Sequence, residues 1–408
     1  MNIKIGNPKF MKSWNRKIIT NILSKDSPIS QTQICQKTGL SKATVSTIIN
    51  ELKEEDLVIE VGKNDSKGGR RQILLELNGD AGFVVGVDLG GTKMAGAVAN
   101  LNGDFQARLY WPTETENGPE EVLKNLIHFI KKLIKKSNVS ERKIRGIGVG
   151  VPGILDSKGK VDWAPALNWR KLDLADKLSK ALDNPVFIEN DVNLLTLGEY
   201  WYGAGQDVDS MACLAVGTGI GAGLIINGVL HTGAHNAAGE VCNLVVDRSL
   251  LAKDFSQFGN LEMIASGPAL ARIYKEKLLD SNTESDDLYT PRNLDLPENH
   301  DINLSGAEEV FKEARKKDHY AIQVVEEFTR NLSMAVISLI TVFDPELIVL
   351  GGGVSNNADL FRDRIIELCS PVVQHMPRLE ISALGVDAGI MGAIAYTLHN
   401  TSDELLHK

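Results

Sequence analysis

The chain has 408 residues, of which 43% are hydrophobic and 24% are charged, and its formal net charge is −9. This length predicts more than one domain. The composition is typical of a folded protein with a large apolar core, so it argues against disorder along most of the chain.

The net charge is divided unevenly. Residues 1–80 contain 13 Lys and Arg against 9 Asp and Glu, a net charge of +4, which leaves −13 for the remainder. A basic N-terminal segment favours contact with nucleic acid, because Lys and Arg neutralise phosphates. A chance fluctuation of charge is the alternative interpretation.

Several classes of protein are not expected from this sequence. The four cysteines are far apart and form no CxxC pair, which argues against a disulfide framework and against a Cys-rich zinc site. The N-terminus lacks the pattern of a signal peptide, and no apolar run of about 18 residues predicts a membrane span. We therefore expect a cytoplasmic protein.

The first 80 residues have the pattern of a winged helix-turn-helix. Ser30 and Ser41 are suited to cap helices at their N-termini, and Gly39 between them is suited to the turn. Apolar residues recur at helical spacing after each cap. The three predicted helices and two predicted strands lie at residues 15–23, 30–38, 41–54, 57–61 and 72–77.

The third of these helices is expected to read DNA. Short polar side chains at the N-terminal end of a recognition helix approach base edges, while the preceding helix crosses the backbone. A basic wing loop contacts a phosphate or the minor groove. The predicted DNA contacts are Gln33, Lys42, Thr44, Ser46, Thr47, Arg70 and Arg71. A solvated loop on an ordinary three-helix module is the alternative.

After residue 80 the pattern becomes α/β. Two strand-rich stretches, each beginning with a hairpin that has glycine in its turn, predict a duplicated architecture that encloses a cleft. The predicted strands lie at residues 83–87, 93–98, 144–151, 185–188, 211–216, 221–226 and 347–350, and the predicted helices at 119–136, 308–316, 320–343 and 358–369. The polar, acidic segment 281–303 is expected to be a surface excursion.

Three glycine-rich turns follow predicted strands of this core. Glycine lets a backbone approach phosphate oxygens, amides and a Thr hydroxyl donate to them, and an Asp can organise Mg²⁺ through water. Together the turns predict a nucleotide site, whereas each taken alone is also explained as a hairpin that needs glycine. Their residues are Asp88, Gly90, Gly91, Thr92 and Lys93; Gly217, Thr218 and Gly219; and Gly352 and Gly353.

Four polar residues are candidates for sugar recognition. Asp191 follows a predicted buried strand, where a carboxylate can take a proton from a sugar hydroxyl that attacks the γ-phosphate of ATP. Asn190 is suited to bind neighbouring hydroxyls, and Glu240 and Glu262 to bind a diol. The alternatives are an Asx turn at Asn190 and ordinary surface acids at the two glutamates.

These motifs together resemble the ROK family, which comprises repressors, open reading frames and sugar kinases. DLGGTK (88–93), VGVPGILD (149–156), IENDVN (188–193), VGTGIGAGLIINGVLHTG (216–233), LEMIASG (261–267) and IVLGGGVS (348–355) occur in the family's order. Residues 13–78 resemble the winged headpiece of the repressor branch, whose members respond to xylose, glucose or N-acetylglucosamine.

The resemblance implies an α/β core of the actin-like ATPase (ribonuclease H-like) type, with two lobes around a sugar cleft. The implied domains are residues 1–79 for the head, 80–190 for the first lobe and 191–408 for the second. Asp191 would be the catalytic base if the chain were a kinase. The implied sugar contacts are Pro152, Gly153, Asn168, Asn190, Asp191, Glu240, Asn243 and Glu262.

The sequence departs from the family at the segment that binds zinc. The family has a His at the position of Asn243, and three cysteines at the positions of Lys253, Phe255 and Asn260. A tetrahedral Cys₃His site needs these thiolates and this imidazole, so we expect no zinc and no other metal. Asn243 can hydrogen-bond a sugar but cannot titrate as His does, which argues against kinase activity.

We therefore predict a sugar-responsive transcriptional regulator, expected to repress carbohydrate-utilisation genes, with operator DNA and a sugar as partners and xylose or glucose as the favoured effector. Paired half-sites require a symmetric homodimer or homotetramer. No cofactor is required, and ATP with Mg²⁺ would bind only if kinase activity remained. The alternatives are a sugar kinase, a protein with both activities, and a regulator controlled by a protein partner.

Overall fold

The computed structural model describes residues 12, 15–16, 18–20, 22–23, 26–63, 72–156, 158–246, 259–279 and 305–406. The chain forms two compact units. The first unit comprises residues 1–153, 158–189 and 393–408, and the second comprises residues 154–157 and 190–392. The N-terminal head thus belongs to the first unit, to which the C-terminal residues also return. The predicted domain boundaries at residues 79 and 190 stay a prediction.

The head combines helices with a small antiparallel sheet of order β1-β3-β2. Its described residues between 12 and 26 are helical, and its other elements are β1 (Ile29–Ser30), α1 (Gln31–Thr38), α2 (Lys42–Glu54), β2 (Val58–Lys63) and β3 (Ile73–Leu77). The N-caps predicted at Ser30 and Ser41 are present, and Gly39 ends α1 with φ 69°. The short strand β1 was not predicted, because two residues give no periodic pattern.

The first unit also contains a five-stranded sheet of order β11-β7-β4-β5-β6. Strand β4 is antiparallel to β5 and parallel to β7. The elements between residues 83 and 190 are, in chain order, β4 (Phe83–Leu89), β5 (Lys93–Asn100), β6 (Phe105–Pro112), α3 (Pro119–Ser137), β7 (Ile144–Val151), β8 (Ile154–Leu155), β9 (Lys160–Ala164), β10 (Trp169–Asp173), α4 (Leu174–Leu182) and β11 (Val186–Asn190). Of these, β8 is assigned to the second unit. Strands β8, β9 and β10 form a separate small sheet.

The second unit has a five-stranded sheet of order β14-β13-β12-β15-β16. Its described elements are α5 (Asp191–Tyr202), β12 (Met211–Val216), β13 (Ile220–Ile226), β14 (Val229–Leu230), α6 (Glu262–Ala265), α7 (Gly267–Leu279), α8 (Ser305–Arg315), α9 (His319–Phe343), β15 (Leu347–Gly351), α10 (Arg362–Cys369), β16 (Arg378–Ile381) and α11 (Ala388–Leu406). Helix α11 begins in the second unit and ends in the first. The long helix α9 supplies many of the buried apolar side chains of the second unit.

The two large sheets have the same topology. In each, the first strand in chain order is central, the second and third extend the sheet on one side, and the fourth and fifth extend it on the other. The first two strands form an antiparallel hairpin, and the fourth strand is parallel to the first. This repeat agrees with the duplicated architecture predicted from the two glycine-bearing hairpins.

Some elements differ from the sequence-based expectation. The helix predicted at 358–369 is wrong in its first part, where a 3₁₀ helix (Gly353–Leu360) precedes α10. Asn357 interrupts the helical geometry there with φ −110° and ψ 18°. The predicted surface excursion at 281–303 lies outside the described residues. Within the described parts of the chain, no helix is long and apolar enough to cross a membrane.

Candidate DNA-binding and effector sites

The N-terminal end of α2 is the part of the head best suited to read DNA. The Ser41 hydroxyl accepts a hydrogen bond from the Thr44 amide at 3.1 Å and lies 2.9 Å from the Thr44 hydroxyl. Four apolar residues of α2 are buried in the head's core, which turns the polar face of the helix outward. The buried residues are Val45, Ile48, Ile49 and Leu52.

The predicted DNA contacts differ in how accessible they are. Lys42 and Thr47 are exposed, whereas Thr44 and Ser46 are half-buried. Gln33 is exposed, but its Oε1 accepts from the amide and hydroxyl of Ser30, so only its amide hydrogens can reach a phosphate. The predicted wing residues Arg70 and Arg71 lie outside the described residues.

The head is joined to the rest of the first unit by a packed junction. The Asn78 side chain donates to the Asp56 carbonyl at 2.8 Å, and the Leu101 amide donates to the Gly79 carbonyl at 3.0 Å. Ala81 is buried in the head's core, with Leu101 packed against it. A Cβ at Gly79 would lie 2.7 Å from the side chain of Asn102, so the backbone at Gly79 packs closely against that side chain. The head is therefore held as part of the first unit.

The first glycine turn, Asp88–Lys93, connects β4 to β5. The Gly90 amide donates to the Lys93 carbonyl at 2.9 Å, and the buried Thr113 hydroxyl donates to the Gly90 carbonyl at 2.7 Å. Thr92 and Lys93 remain exposed. Burial raises the pKa of Asp88 to about 6, although the charge of Lys93 acts in the opposite direction. Asp88 therefore holds a proton at mildly acidic pH.

The other predicted contacts in the first unit lie around β9 and β10. A Cβ at Gly153 would lie 2.3 Å from the Trp163 carbonyl oxygen, and φ at Gly153 is 118°, so only glycine fits there. A Cβ at Gly91 would lie 3.2 Å from the Cβ of Ala166. Asn168 is exposed and adopts the left-handed conformation with φ 53°. The turn at 88–93 and the predicted sugar contacts Gly153 and Asn168 thus adjoin the same small sheet.

The second and third glycine turns are neighbours in the second unit. A Cβ at Gly352, where φ is 80°, would lie 2.3 Å from the Val216 carbonyl oxygen. The Gly267 amide donates to the Gly217 carbonyl at 2.9 Å, which fixes the second turn against the start of α7. Thr218 and Gly219 are exposed at its tip. The structure therefore brings two of the three predicted turns together, while the first turn belongs to the first unit.

Asn190 and Asp191 form the N-terminus of α5. The Asn190 Oδ1 accepts from the amides of Val192 at 2.9 Å and Asn193 at 3.0 Å, so Asn190 is the N-cap of the helix. The Asp191 carboxylate accepts from the Val192 amide at 2.9 Å. An acidic residue in the first turn of a helix interacts favourably with the helix dipole.

Three acidic residues lie at or next to residues that contact the segment Ile220–Ala222 of β13. The Glu262 Oε2 accepts from the Ile220 amide at 3.0 Å. Val192, next to Asp191, packs over Gly221, since a Cβ at Gly221 would lie 3.0 Å from it. The Ala222 amide donates to the carbonyl of Gly239, which precedes Glu240, at 2.8 Å. Asp191, Glu240 and Glu262 therefore flank one short segment of strand.

Burial and neighbouring charges raise the pKa of two groups in this cluster, Glu262 and Cys242. Burial and the charge of Glu240 raise the pKa of Glu262, while the bond from the Ile220 amide lowers it. The Cys242 thiol lies 3.4 Å from the Glu240 Oε2 and donates to it. Burial, then Glu240 and Glu262, raise the pKa of Cys242, so the thiol remains protonated. The sequence did not single out Cys242, because its carboxylate neighbours depend on the fold.

Backbone contacts close the loop that departs from the family's zinc-binding pattern. The Leu261 amide donates to the Cys242 carbonyl at 2.8 Å, and a Cβ at Gly259 would lie 2.2 Å from that oxygen. Asn243 is exposed, and Asn260 has a buried Oδ1. Lys253 and Phe255 lie outside the described residues. Within the described ranges, no group of three or more His, Cys, Asp or Glu could hold a metal ion.

Sequence reasoning also missed Glu199, a fully buried carboxylate of α5. It accepts hydrogen bonds from the Ser382 hydroxyl at 2.6 Å and from the amides of Leu384 at 2.9 Å, Ala204 at 3.1 Å and Ala383 at 3.2 Å. Ser382, Ala383 and Leu384 tie the C-terminal half of α5 to the loop after β16, whereas Ala204 follows α5 itself. Glu199 therefore supports the helix that carries Asp191, rather than contacting a ligand.

Most of the chain after the head matches a single protein family. Residues 84–400 match the model of the ROK family. The chain belongs to the ROK family. Residues 15–59, which precede the ROK core, match the model of a winged helix-turn-helix DNA-binding domain. Both matches confirm the family and the head predicted from the sequence.

Relatives of this ROK chain include repressors and kinases. The chain is 32% identical to the xylose repressor of Caldicellulosiruptor bescii over 399 residues, which cover 97% of this chain and 98% of that protein. Its structure resembles that of a ROK family transcriptional regulator, a homologue of the Escherichia coli MLC protein, with a TM-score of 0.78 and 21% identity over 97% and 99% of the two chains. It also resembles a ROK glucokinase from Streptomyces griseus solved with glucose and AMPPNP, with a TM-score of 0.64 and 28% identity. That match covers 77% of this chain and 99% of the glucokinase.

The matches differ in whether they include the N-terminal head of this ROK chain. The repressor and the regulator align with both the head and the core, whereas the glucokinase aligns with 77% of the chain. The predicted fold, an α/β core of the actin-like ATPase type preceded by a winged helix-turn-helix, is confirmed.

Proposed function

We propose that this ROK protein is a sugar-responsive transcriptional regulator that represses carbohydrate-utilisation genes. In this proposal the head binds operator DNA, and a sugar bound to the core releases it. The observation that carries the proposal is the presence of a DNA-binding head and a ROK core on one chain that aligns with 98% of a xylose repressor. Xylose is therefore the first effector to test, and glucose the second.

The effector would be held by the carboxylates of the second unit. Asp191, Glu240 and Glu262 flank the segment Ile220–Ala222, and ionised carboxylates accept strong hydrogen bonds from hydroxyl groups. Adjacent hydroxyls of a sugar suit such a set of acceptors. We propose that Asn190 and Asn243 add further contacts to the sugar, while the contacts predicted at Pro152, Gly153 and Asn168 stay predictions.

We propose that the regulator needs neither zinc nor ATP. Thiolate is the form of Cys that binds zinc, and Cys242 is held as a thiol by burial and by two neighbouring carboxylates. Asn243 provides an amide at the position where the family resemblance implies that a His is usual. These side chains fit a sugar hydroxyl better than a zinc ion.

We further propose a cytoplasmic homodimer or homotetramer. A repressor that reads two half-sites about one helical turn apart needs two heads related by a two-fold axis. Sugar binding then changes operator affinity by altering how well the paired heads match the half-sites. A coupling free energy of ~1–3 kcal/mol changes affinity about 5- to 150-fold.

A sugar kinase is the second candidate function. The resemblance to a glucokinase solved with glucose and AMPPNP favours it, as do the retained turn at Asp88–Lys93 and Asp191 at the predicted position of the base. The glycines of the second and third turns, Gly217, Gly219, Gly352 and Gly353, would then approach the nucleotide. Asp191 would take the proton of the attacking hydroxyl.

One pair of assays separates these functions. Duplex DNA is selected from random sequence by the full-length protein, and its retention is measured while xylose, glucose or N-acetylglucosamine is added. ADP release is measured with ATP, Mg²⁺ and the same sugars. The proposal predicts that a sugar releases the DNA without forming ADP. ADP formation that disappears in Asp191→Asn would instead support the kinase, and failure to select any DNA would refute the regulator.

A further inference from the structure

A cluster of six cations lies at the C-terminal end of α3 and in the turn that follows it. We name it the basic ridge, and its residues are Lys131, Lys132, Lys135, Lys136, Arg142 and Lys143. All six are exposed, and none forms an ion pair with a carboxylate of the described residues. The chain beyond residue 80 has a net charge of −13, so a dense basic surface there is unexpected.

Intramolecular contacts explain only part of the ridge. The C-terminal end of a helix favours Lys through the helix dipole. The Lys136 ammonium donates to the Arg108 carbonyl at 2.7 Å, and the Lys132 ammonium lies 4.6 Å from the ring centre of Trp111. Lys131 and Lys135 are four residues apart, as are Lys132 and Lys136, and like charges at that spacing repel. An anionic partner would remove this repulsion.

The ridge adjoins the head. The Lys143 ammonium donates to the Asp80 carbonyl at 2.9 Å, and Arg145, close to it in sequence, donates to the Ala81 carbonyl at 3.2 Å. Ala81 is buried in the core of the head. The ridge and the head are therefore parts of the same unit, joined at residues 78–82.

Helix α2, which is expected to read DNA, ends at this junction. The C-terminal end of α2 is fixed there, because the Asp56 carbonyl accepts from the Asn78 side chain at 2.8 Å. A helix of 13 residues such as α2 is about 20 Å long. The N-terminal end of α2, which would read bases, is thus about 20 Å from the junction, and duplex DNA covers that distance in about six base pairs.

We propose that the basic ridge contacts phosphates of the DNA that flanks the segment read by the head. This inference depends on the proposed DNA binding. Duplex DNA suits the ridge better than an acidic protein does, because the adjoining head would hold DNA at high effective concentration. Such contacts add affinity without sequence preference and make binding more sensitive to salt.

The test uses the full-length protein and two duplexes. The first contains only the DNA segment selected by the protein, and the second is extended by about one helical turn on each side. The variant Lys135→Gln/Lys136→Gln removes two charges from the ridge. Lys275→Gln/Lys312→Gln is the matched control, since both residues are exposed lysines on helices of the second unit. Binding is measured by fluorescence anisotropy at several salt concentrations.

We expect the plot of log affinity against log salt concentration to become less steep for the ridge variant on the extended duplex. The change should be about 1.8 per bound protomer, or about 3.6 for a dimer on two half-sites, since each protomer loses two phosphate contacts and each contact contributes about 0.9. The short duplex and the control variant should show no such change, and Lys135→Arg/Lys136→Arg should retain the original slope. An unchanged slope on the extended duplex would overturn the inference, and so would an equal change on both duplexes. If the wild-type protein binds neither duplex, the proposed DNA-binding function is refuted. The inference that the basic ridge contacts DNA is then refuted as well.

Discussion

The substitution Asp88→Asn tests the account of the first glycine turn. The pKa of Asp88 is raised from an ordinary value of 3.8 to about 6, chiefly by burial. Each pKa unit corresponds to about 1.36 kcal/mol, so the ionised carboxylate costs up to about 3 kcal/mol of folding free energy at neutral pH. The folded state binds the proton more tightly than the unfolded state, so this carboxyl makes stability fall as pH rises from about 4 to about 6.

Asp88→Asn removes the titrating group. We expect the variant to be more stable than the wild-type protein at pH 7, by up to about 3 kcal/mol, and to lose this advantage at pH 4. The difference in free energy of unfolding is measured by urea denaturation across that pH range. Asp162→Asn, at an exposed position on β9 of the same unit, is the control and should show no such trend. A constant difference between Asp88→Asn and wild type at all pH values would refute the argument from burial.

Three further predictions concern the parts that support the two sites. Glu199→Ala leaves four hydrogen-bond donors without their acceptor. It should lower the free energy of unfolding, measured by urea denaturation, by about 3–5 kcal/mol. A loss below ~1 kcal/mol would contradict the supporting role of Glu199. Gly239→Ala places a Cβ 1.7 Å from the Ala222 carbonyl oxygen, so it should displace Glu240 and abolish the heat of sugar binding. Ser30→Ala removes the capping box of α1 and should destabilise the head by about 1 kcal/mol, seen as faster amide exchange in α1, and unaltered exchange there would count against it.

The elements that the sequence predicted correctly are those with local signals. Ser30 and Ser41 are recognisable as N-caps because their helices follow directly, and Gly39 fits the left-handed turn. The two large hairpins were predicted from glycine turns between apolar strands. The small sheet β8–β10 was missed because its strands are short and only partly buried, so they show no clear alternation.

The candidate site was predictable only in part, because much of it depends on contacts between distant residues. Glu262 and Asp191 were proposed from their motifs, but the segment Ile220–Ala222 that joins them becomes apparent only in the fold. Glu199 accepts from residues more than 180 positions away, and no local pattern predicts that. The N-cap role of Asn190 was considered only as an Asx turn, because helix α5 was not predicted.

Calorimetric titration of sugar into the full-length protein tests the central claim most directly. Xylose is titrated first, then glucose and N-acetylglucosamine, into wild-type protein and into Glu240→Gln and Glu262→Gln. We predict that one of these sugars binds with one site per chain, and that each variant loses at least tenfold in affinity, about 1.4 kcal/mol, because a charged acceptor is lost. Absence of heat for every sugar would contradict the claim that the core binds a sugar effector, and so would undiminished binding in both variants.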